Sequence, residues 1–591
     1  MRLKNNQFTR FIVVGSLSTV INYGLFFLLL QIFSVNYYLA TVVGYVSGLV
    51  FGYLLNRRWT FQPVIKRRAT ELILYTGVYI SSLVLSVVVL GVLVKFGLHP
   101  LIANIFGICF STLSNFFGLK YLIFNHASRD RVLKFVPYLG ISFWIISAIK
   151  LISGTLFGSH YIINGFIPFI NYFAATFKNP YEYFNALSVT PFPYPSGMLI
   201  FEGLPLIAAK QLLPFDWLNN LNLELFLLRV PILVFDVLIY LSLCSLLPTH
   251  GKKILWIYYA SPILFFINYF HGQLDVIPTA LLMLSIIFLV RKKQLLSFII
   301  LGLGIAAKTH VIAALPFYLI YLYRNGVRFS KMASYLVASF LTFVALNPYL
   351  LSGGFLNMVF NNPEQQRIFS LAIPFYFRDV TLFVVPAAIL LIIYKFGSYK
   401  KLNSDSLILA IGLTYTALIV LVPPMPGWYY WALPFLVFFI IKFKKAPIIS
   451  FAVVNVFFIL FFSFTKNSDV FESLRSVVPS FLRGLTLFEI LGNKGFIVEN
   501  IFFTALEISV AVLLAWSYKM GMQSNQIFQK TRERFLIAIA GDSGVGKSTL
   551  VDTLKKITGD NKTVVINGDD VHRWERSDPH WQDITHLDPQ G

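Results

Sequence analysis

Long apolar runs separated by short polar loops, many of them basic, recur along most of the chain. A helix rises about 1.5 Å per residue, so roughly twenty apolar residues cross a hydrocarbon core about 30 Å thick. We predict about sixteen crossings, counting residues 295–323 as a hairpin that enters the membrane and returns. The predicted runs are 11–32, 38–55, 71–95, 100–124, 135–153, 229–250, 254–267, 276–290, 295–323, 332–350, 374–394, 405–422, 429–441, 446–463 and 499–517.

Composition supports a membrane protein. Hydrophobic residues make up 57% of the 591 residues and charged residues only 13%, against about 25% charged in soluble domains. The net charge of +22 would favour nucleic acid in a soluble protein. Here the Lys and Arg residues lie in short loops, which indicates cytoplasmic loops instead. We expect a multi-pass cell-membrane protein with both chain ends in the cytoplasm and no nucleic-acid partner.

The stretch from Asn268 to Asp275 contains the most suggestive polar residues, between two apolar runs. His271, Gln273 and Asp275 are expected on the outer side of the membrane, where an ionisable residue is a functional-site hypothesis. The alternative is a solvated turn without a function. Lys308, in the middle of the predicted hairpin, falls on the same side, where it either binds a phosphate or snorkels to the interface.

The first 125 residues contain an internal duplication. Gly44 and Gly107 each begin a stretch that reaches a phenylalanine seventeen residues later. Duplicated helical hairpins often enclose a path through a membrane. With the segment Arg10–Gly15, Asn22 and the segment Asn56–Phe61, this region resembles the GtrA-like family. The resemblance implies a four-helix module linked to cell-surface polysaccharide synthesis and to movement of polyprenyl-phosphate sugars.

The middle region resembles polytopic glycosyltransferases of the GT-C class, which use polyprenyl-phosphate sugar donors. The resemblance rests on several short motifs: Tyr194–Gly197, Arg229 with Asp236, Gly272–Asp275, Ala307–Thr309, and Pro426 with Trp428–Trp431 and Pro434. It implies an active site on the outer face and an inverting sugar transfer. Such enzymes usually carry an acidic residue early in the first large outer loop, but residues 154–195 contain only Glu182. Either Glu182 takes that role, the base lies elsewhere, or the region has lost its activity.

Sugar transfer requires particular side chains. A cation must stabilise the departing phosphate, and a carboxylate must take the proton of the acceptor hydroxyl. The aromatic run near Trp428 is either an interfacial belt or a wall that contacts a sugar or prenyl chain. The catalytic candidates are Asp275, Glu182, Lys308 and His271, and the substrate-binding candidates are Gln273, Asp236, Trp428 and Tyr429. Whether a divalent metal takes part is left open.

The C-terminal segment contains a phosphate-binding motif. Residues 535–540 have the pattern of a buried strand, the G-x-x-x-x-G-K-[ST] sequence follows, and a helix is predicted over 548–557. In this order the motif predicts binding of ATP, with Lys547 on the β/γ-phosphates and Ser548 on Mg²⁺. The predicted nucleotide-binding residues are Gly541, Asp542, Ser543, Gly544, Val545, Gly546, Lys547, Ser548 and Thr549.

A second strand, predicted over 563–566, leads to Asp569. This segment resembles the uridine kinase and phosphoribulokinase family, which implies that Asp569 is the substrate base. The chain stops before the further strands and lid that the family implies. We therefore expect a partial α/β domain that binds a nucleotide, with its kinase activity left open.

The sequence thus predicts a polytopic α-helical membrane protein with a partial C-terminal α/β P-loop domain. Its expected function is a membrane glycosyltransferase that moves a hexose from a polyprenyl-phosphate donor to a lipid or glycan acceptor. The alternatives are a flippase for lipid-linked sugars and a membrane-anchored kinase. The predicted segments are a GtrA-like domain (1–125), a linker (126–134), a GT-C-like region (135–517, outer loop 154–222), a second linker (518–533) and a P-loop segment (534–591).

Overall fold

The computed structural model describes most of the chain, and its helices dominate. The described residues are 7–29, 37–61, 75, 77–79, 82, 100–119, 138–212, 220–375, 380–422, 424–464, 491–530, 537–542, 544–559 and 563–566. The predicted run 71–95 falls almost wholly outside them. The chain forms two compact units, Met1–Phe528 and Gln529–Gly591.

The N-terminal part contains three described helices. They are α1 (Gln7–Phe27), α2 (Tyr37–Leu55, continued by the π-helical turn Asn56–Phe61) and α3 (Pro100–Gly118). The Arg10 guanidinium donates to the Trp59 carbonyl at 3.1 Å, which joins the start of α1 to the end of α2. The Asn56 amide donates to the Tyr75 hydroxyl, 3.1 Å away. These polar contacts pin the ends of the helices within an otherwise apolar bundle.

The central part is a large helical bundle around one continuous apolar core. Its helices are α4 (Ile141–Leu156), α5 (Ile167–Thr176), α6 (Pro180–Ala186), α7 (Ser196–Leu212), α8 (Leu221–Leu246), α9 (Val276–Val290), α10 (Gln294–Ala307), α11 (Leu315–Arg324), α12 (Phe329–Ala345), α13 (Val384–Gly397), α14 (Ser404–Leu421), α15 (Tyr429–Lys442), α16 (Ile448–Phe464) and α17 (Asn493–Lys530). Helices α10 and α12 approach each other closely where Gly302 faces the backbone of Ser339.

Three helices in the part of the chain that the structure describes are long and apolar enough to cross a membrane: Leu221–Leu246, Ser404–Leu421 and Lys494–Gln529. Two bent pairs pass the same test together, and counting each as one span gives up to five. The protein is therefore a mostly helical membrane protein. The finer count of about sixteen crossings stays a prediction.

One bent pair extends into a segment that we expected to be a loop, and the other lies mostly in the predicted run 254–267. The predicted outer loop 154–222 is largely helical, since α4 continues after a bend of 68° as Tyr161–Thr176. The segment after residue 267 also differs, because Pro262–His271 is helical and follows Gly251–Tyr259 at a bend of 53°. Proline at the start of the second piece supplies no backbone N–H and favours such a break.

Two further expectations need correction. The run predicted to cross at 374–394 begins instead as a two-stranded antiparallel hairpin, β1 (Ala372–Phe375) and β2 (Val380–Phe383), before α13. The predicted second linker, 518–533, is helical as far as Lys530, because α17 continues without a break. Residues 295–323, predicted to enter the membrane and return, form two helices, α10 and α11, with a break beside Lys308. Their course through the membrane stays a prediction.

In the second unit, the described helix is α18 (Lys547–Thr558). The strands expected over 535–540 and 563–566 are not formed by the residues that the structure describes there, 537–540 and 563–566. Asp569 lies outside the described residues, as does Ser543.

Candidate functional site

The candidate site forms where three chain breaks meet. Asp275 immediately precedes α9, Lys308 lies between α10 and the turn Thr309–Ala314, and Trp431 lies in the first turn of α15. At each break the helical backbone hydrogen bonding ends, so polar side chains are placed there among apolar helices. The fold therefore brings together residues that are far apart in sequence.

The Asp275 carboxylate is the centre of this site. Its Oδ1 accepts hydrogen bonds from Lys308 Nζ and from the Trp431 indole nitrogen, each at 2.6 Å. The side chain of Asp275 is 1% exposed and that of Lys308 is 20% exposed. Removing one partner of such a pair leaves a buried charge and costs about 3–5 kcal/mol. The pair is thus closed on the Asp275 side and open on the Lys308 side.

Aromatic rings surround the Lys308 ammonium. It lies 5.1 Å from the ring centroids of both Tyr194 and Trp431, within cation–π range. Trp431 is itself stacked between His310 at 4.1 Å and Trp428 at 5.0 Å. The stack holds Trp431 in place to donate to Asp275.

The second oxygen of Asp275 lacks a partner. Asp275 Oδ2 and Gln273 Oε1 are both buried acceptors without a hydrogen-bond donor among the described residues. Both face Gly427, where an added Cβ would overlap Gln273 Oε1 and lie 2.5 Å from Asp275 Oδ2. A larger residue at this position would therefore displace one or both of these side chains. The two oxygens form a place where a donated proton would be accepted.

A second group of buried polar residues lies beside the first. Arg229 and His271 are 0% exposed, and so is Glu202. Burial raises the pKa of Glu202 to about 8, while the positive charge of Arg229 opposes that shift. Tyr194 lies within electrostatic range of both Asp275 and Glu202, which places it between the two groups.

Several predicted site residues lie elsewhere. Glu182 is exposed on α6 and accepts from the Gly354 backbone N–H at 2.9 Å, so it caps the short turn Gly353–Phe355. Tyr429 donates to Glu507 on α17. Neither contacts Asp275 among the described residues. A role of Glu182 as the base of the transfer therefore stays a prediction.

Asp236 is part of another network. It pairs with Lys150 at 2.7 Å, with both side chains fully buried. It also accepts from the hydroxyls of Tyr258, Tyr269 and Tyr430 at 2.9–3.2 Å. With its oxygens occupied by these partners, Asp236 joins α4, α8 and α15, and the structure does not bring it to Asp275.

Sequence reasoning missed several residues of the site. Arg229 and Trp431 were noted only as parts of motifs, and His310 follows Lys308 by two positions. The sequence could have indicated Glu202, because a carboxylate in the apolar stretch 198–209 is rarely buried unless it has a partner. Among the described residues, no three His, Cys, Asp or Glu side chains form a group that would hold a metal ion.

The glycine-rich loop before α18 contains two glycines in the left-handed backbone region. Gly544 and Gly546 both have a φ of +85°, which favours glycine. The Lys547 amine folds back onto the carbonyl oxygens of Gly541 and Asp542, at 2.6 and 2.7 Å. The Lys547 side chain thus lies against the backbone of the loop that precedes α18.

Comparison with known proteins shows similarity for the N-terminal part of the chain. The sequence model of the GtrA/DPMS transmembrane domain family matches residues 10–124, which confirms the resemblance noted for this part of the chain. The uncharacterized membrane protein YngA of Bacillus subtilis is 28% identical over 121 residues, which are 20% of this chain and 81% of that protein.

Two further relatives match over a similar length. The uncharacterized membrane protein YwcD of Bacillus subtilis is 25% identical over 126 residues, covering 21% of this chain and 99% of that protein. The cell wall teichoic acid glycosylation protein GtcA of Listeria innocua is 24% identical over 119 residues, covering 20% of this chain and 82% of that protein. No solved structure matches the chain.

Proposed function

We propose that the protein is a membrane glycosyltransferase that takes a sugar from a polyprenyl-phosphate donor during synthesis of a cell-surface glycan. One observation carries the proposal: a buried carboxylate with a free oxygen is paired with a partly exposed lysine. A proton acceptor, Asp275, and a cation, Lys308, thus lie in one site. Transfer of a sugar to a hydroxyl requires both kinds of group. The comparison with GtcA, a protein of teichoic acid glycosylation, supports a role in glycan synthesis.

Asp275 would act as the general base. The acceptor hydroxyl would lie at Asp275 Oδ2, next to Gln273 Oε1, and its oxygen would attack the anomeric carbon of the donor sugar. As that bond forms, the bond from the anomeric carbon to the phosphate oxygen breaks, and the hydroxyl proton passes to Oδ2. A carboxylate within hydrogen-bond reach of the hydroxyl is the geometric requirement for this step.

Lys308 would stabilise the leaving group. Polyprenyl phosphate departs with its charge on the phosphate oxygens, and the exposed side of the Lys308 ammonium is free to meet it. The ammonium lies among aromatic rings and little water, where its charge interacts strongly. Trp431 would hold Asp275 while Lys308 exchanges its carboxylate partner for the phosphate. Trp428 would form the wall against which the donor lies.

The N-terminal domain supports a lipid-linked donor. Residues 10–124 match a transmembrane family whose relative GtcA is named for glycosylation. We propose that this domain supplies the polyprenyl-phosphate sugar to the central region, within a cell membrane and with both chain ends cytoplasmic. The same match favours a second candidate function, a flippase that moves the lipid-linked sugar without transferring it.

Purified protein, given polyprenyl-phosphate hexoses and a lipid or glycan acceptor, tests the proposal through release of polyprenyl phosphate. We expect Asp275→Asn to reduce release at least about 100-fold, the usual size of a general-base contribution. Asp405→Asn is the matched control, because Asp405 forms another buried pair with a lysine, Lys442, at 2.5 Å. Movement of the lipid-linked sugar across vesicles without any release by the wild type would favour the flippase.

The C-terminal unit has a separate proposed role. The loop from Gly541 to Thr549 would bind the phosphates of ATP, with Lys547 as the cation and Ser548 as a ligand of Mg²⁺. What supports this role is the pair of left-handed glycines directly before the N-terminus of α18. The phosphates of ATP would bring negative charge that this loop is suited to neutralise, together with Mg²⁺.

A further inference from the structure

A cluster of three buried ionisable side chains, Arg229, Glu202 and His271, lies beside the Asp275 site and has no role in the transfer step described above. We call it the inner cluster. Arg229 comes from α8, Glu202 from α7 and His271 from the end of the helical segment Phe266–His271. All three side chains are completely buried.

The Arg229 guanidinium is held in a fixed position. Its Nη2 donates to the Phe157 carbonyl at 3.1 Å. An added Cβ at Gly272 would lie 2.6 Å from both Nη atoms, and one at Gly154 would lie 2.6 Å from Arg229 Cγ. Both glycines therefore leave space for the arginine. Gly272 also needs glycine for its φ of +89°. The side chain is thus positioned by backbone on two sides.

Most polar atoms of the inner cluster have no partner. Arg229 Nε and Nη1, both Glu202 carboxylate oxygens and both His271 ring nitrogens lack hydrogen bonds among the described residues. Each unsatisfied buried group costs about 1–3 kcal/mol, and charged groups cost more. Six such atoms in one place indicate that the cluster meets a polar partner when the protein works.

The inner cluster is continuous with the proposed transfer site. His271 precedes Asp275 by four residues, and its backbone carbonyl accepts from the Ser159 N–H at 3.1 Å. The ring of Tyr161 lies 5.8 Å from that of His271. Tyr194 lies within electrostatic range of both Glu202 and Asp275. A molecule that contacts Asp275 is therefore within reach of the cluster.

The chemistry of the cluster narrows what it binds. A phosphate would be attracted by Arg229, but its oxygens only accept hydrogen bonds and would leave the acceptor oxygen of Glu202 unsatisfied. A prenyl chain would leave every polar atom unsatisfied. A sugar ring brings hydroxyls that donate and accept at once. It therefore suits two guanidinium donors, two carboxylate oxygens and an imidazole side by side, with tyrosine rings nearby.

We propose that the inner cluster binds the hydroxyls of the monosaccharide being transferred and selects which sugar is accepted. This inference rests on the proposed function, because it takes the ligand to be the sugar of a polyprenyl-phosphate donor. Arg229, Glu202 and His271 are specificity residues here. They leave the proton transfer to Asp275 and the leaving group to Lys308. His271, a catalytic candidate from the sequence, thereby takes a role in sugar binding.

The test compares donors that differ by one hydroxyl. Short-chain polyprenyl-phosphate hexoses and their single-deoxy analogues are offered to wild type, His271→Phe, Glu202→Leu and Glu202→Gln. A site built to bind a hydroxyl rejects the analogue that lacks it, so we expect about 100-fold discrimination in kcat/KM for the wild type at one or more positions. Discrimination should fall below about tenfold in His271→Phe and Glu202→Leu and be partly kept in Glu202→Gln.

Glu364→Leu is the control, since Glu364 is 44% exposed and pairs with Arg367 at the surface. Equal discrimination by wild type and both apolar variants would overturn the inference. Because Glu202→Leu changes a buried group, His271→Phe keeps the test decisive if that variant does not fold.

Donor binding separates failure of the inference from failure of the proposed function. Donor binding is measured by the quenching of tryptophan emission, since Trp428 and Trp431 lie at the site. Selective binding that is lost in His271→Phe, without transfer by the wild type, would support the cluster as a sugar site and reject the transferase. Transfer without hydroxyl selectivity would reject the inference alone.

Discussion

At the scale of single residues, the Asp275–Lys308 pair determines both stability and chemistry. The pair is buried on one side and reaches solvent on the other. A buried pair often contributes little net stability, whereas a buried charge left alone is costly. The two residues therefore depend on each other, and their substitutions should not add.

We expect Lys308→Met to lower the free energy of unfolding by about 3 kcal/mol, because Asp275 is then left without its cation. The double variant Lys308→Met with Asp275→Asn should recover at least about 1 kcal/mol of that loss, since no charge remains. Thermal or denaturant unfolding in detergent, followed by tryptophan emission, measures both. Additive losses in the double variant would show that the two residues do not form a pair in solution.

Glu202 gives a prediction about pH. Its pKa is raised to about 8 from an ordinary value of 4.5, so the folded state holds a proton that the unfolded state has lost between these values. Stability contributed by this group is complete below about pH 4.5 and is lost as the pH rises towards about 8. Glu202→Gln has no proton to lose at this position.

The melting temperature of Glu202→Gln should therefore exceed that of the wild type more at pH 9 than at pH 5. Melting curves of both proteins, recorded across this range in one detergent, provide the measurement. A constant difference between the two proteins at every pH would mean that Glu202 is not buried in solution.

Sequence reasoning was most successful for single residues that had a clear electrostatic reason to be special. Asp275 and Lys308 were both expected on one side of the membrane, and the structure brings them into contact. Glu182 was chosen because it was the only carboxylate of its segment, but its partner is a backbone N–H. Sequence position alone did not reveal that Arg229 packs against Gly272, because that contact depends on where two helices end.

At the scale of elements, the crossing of α10 and α12 depends on one small residue. An added Cβ at Gly302 would overlap the Ser339 carbonyl and lie 3.0 Å from Thr342 Cβ. Backbone at a helix crossing moves little, so overpacking there costs about 1–3 kcal/mol. A close crossing of this kind also positions the end of α10, where Lys308 follows.

We expect Gly302→Ala to destabilise the protein by about 1–3 kcal/mol and to reduce sugar transfer through a shift of Lys308. Gly397→Ala is the matched control: its added Cβ meets only the end of Ile320, at 3.8 Å. That variant should be neutral, or stabilised by up to about 1 kcal/mol through the helical preference of alanine. Unfolding curves and transfer rates of the two variants decide between these expectations.

Hydropathy indicated helices correctly where apolar runs were long, but it did not indicate how they bend. The bounds of α9, α14 and α15 lie within one residue of those expected. The hairpin β1–β2 was expected to be helical, because apolar residues such as Ile373 and Leu382 look alike in a strand and in a helix. Their exposure and pairing are properties of the folded chain.

At the scale of the whole molecule, the two proposed functions, sugar transfer and nucleotide binding, fall in two different compact units. The first contains the candidate transfer site, and the second contains the glycine-rich loop. The family match covers only residues 10–124, so most of the chain was interpreted from motifs and contacts. The number of membrane crossings was the hardest property to predict, because a helix that bends or breaks has the same apolar sequence as a continuous one.

Nucleotide binding by the second unit can be tested in the full chain. We expect the wild type to bind ATP in the presence of Mg²⁺ and Lys547→Met to bind it at least about tenfold more weakly, because one cation facing the phosphates is lost. Lys556→Met, in the last turn of the same helix, should bind as the wild type does. Equal affinities of wild type and Lys547→Met, measured by calorimetry, would exclude a phosphate role for this loop.

The fully buried pair of Lys150 and Asp236 also has a consequence for how the protein is made. The two residues are 86 positions apart, so α4 leaves the ribosome well before α8 is synthesised. Until then Lys150 has neither its carboxylate nor the ring of Tyr259, which lies 3.5 Å from its ammonium. A lone lysine at the centre of a helix enters lipid unfavourably, by roughly 2.5–3.5 kcal/mol. Release of α4 from the insertion machinery should therefore wait for α8, and the two helices should enter the bilayer together.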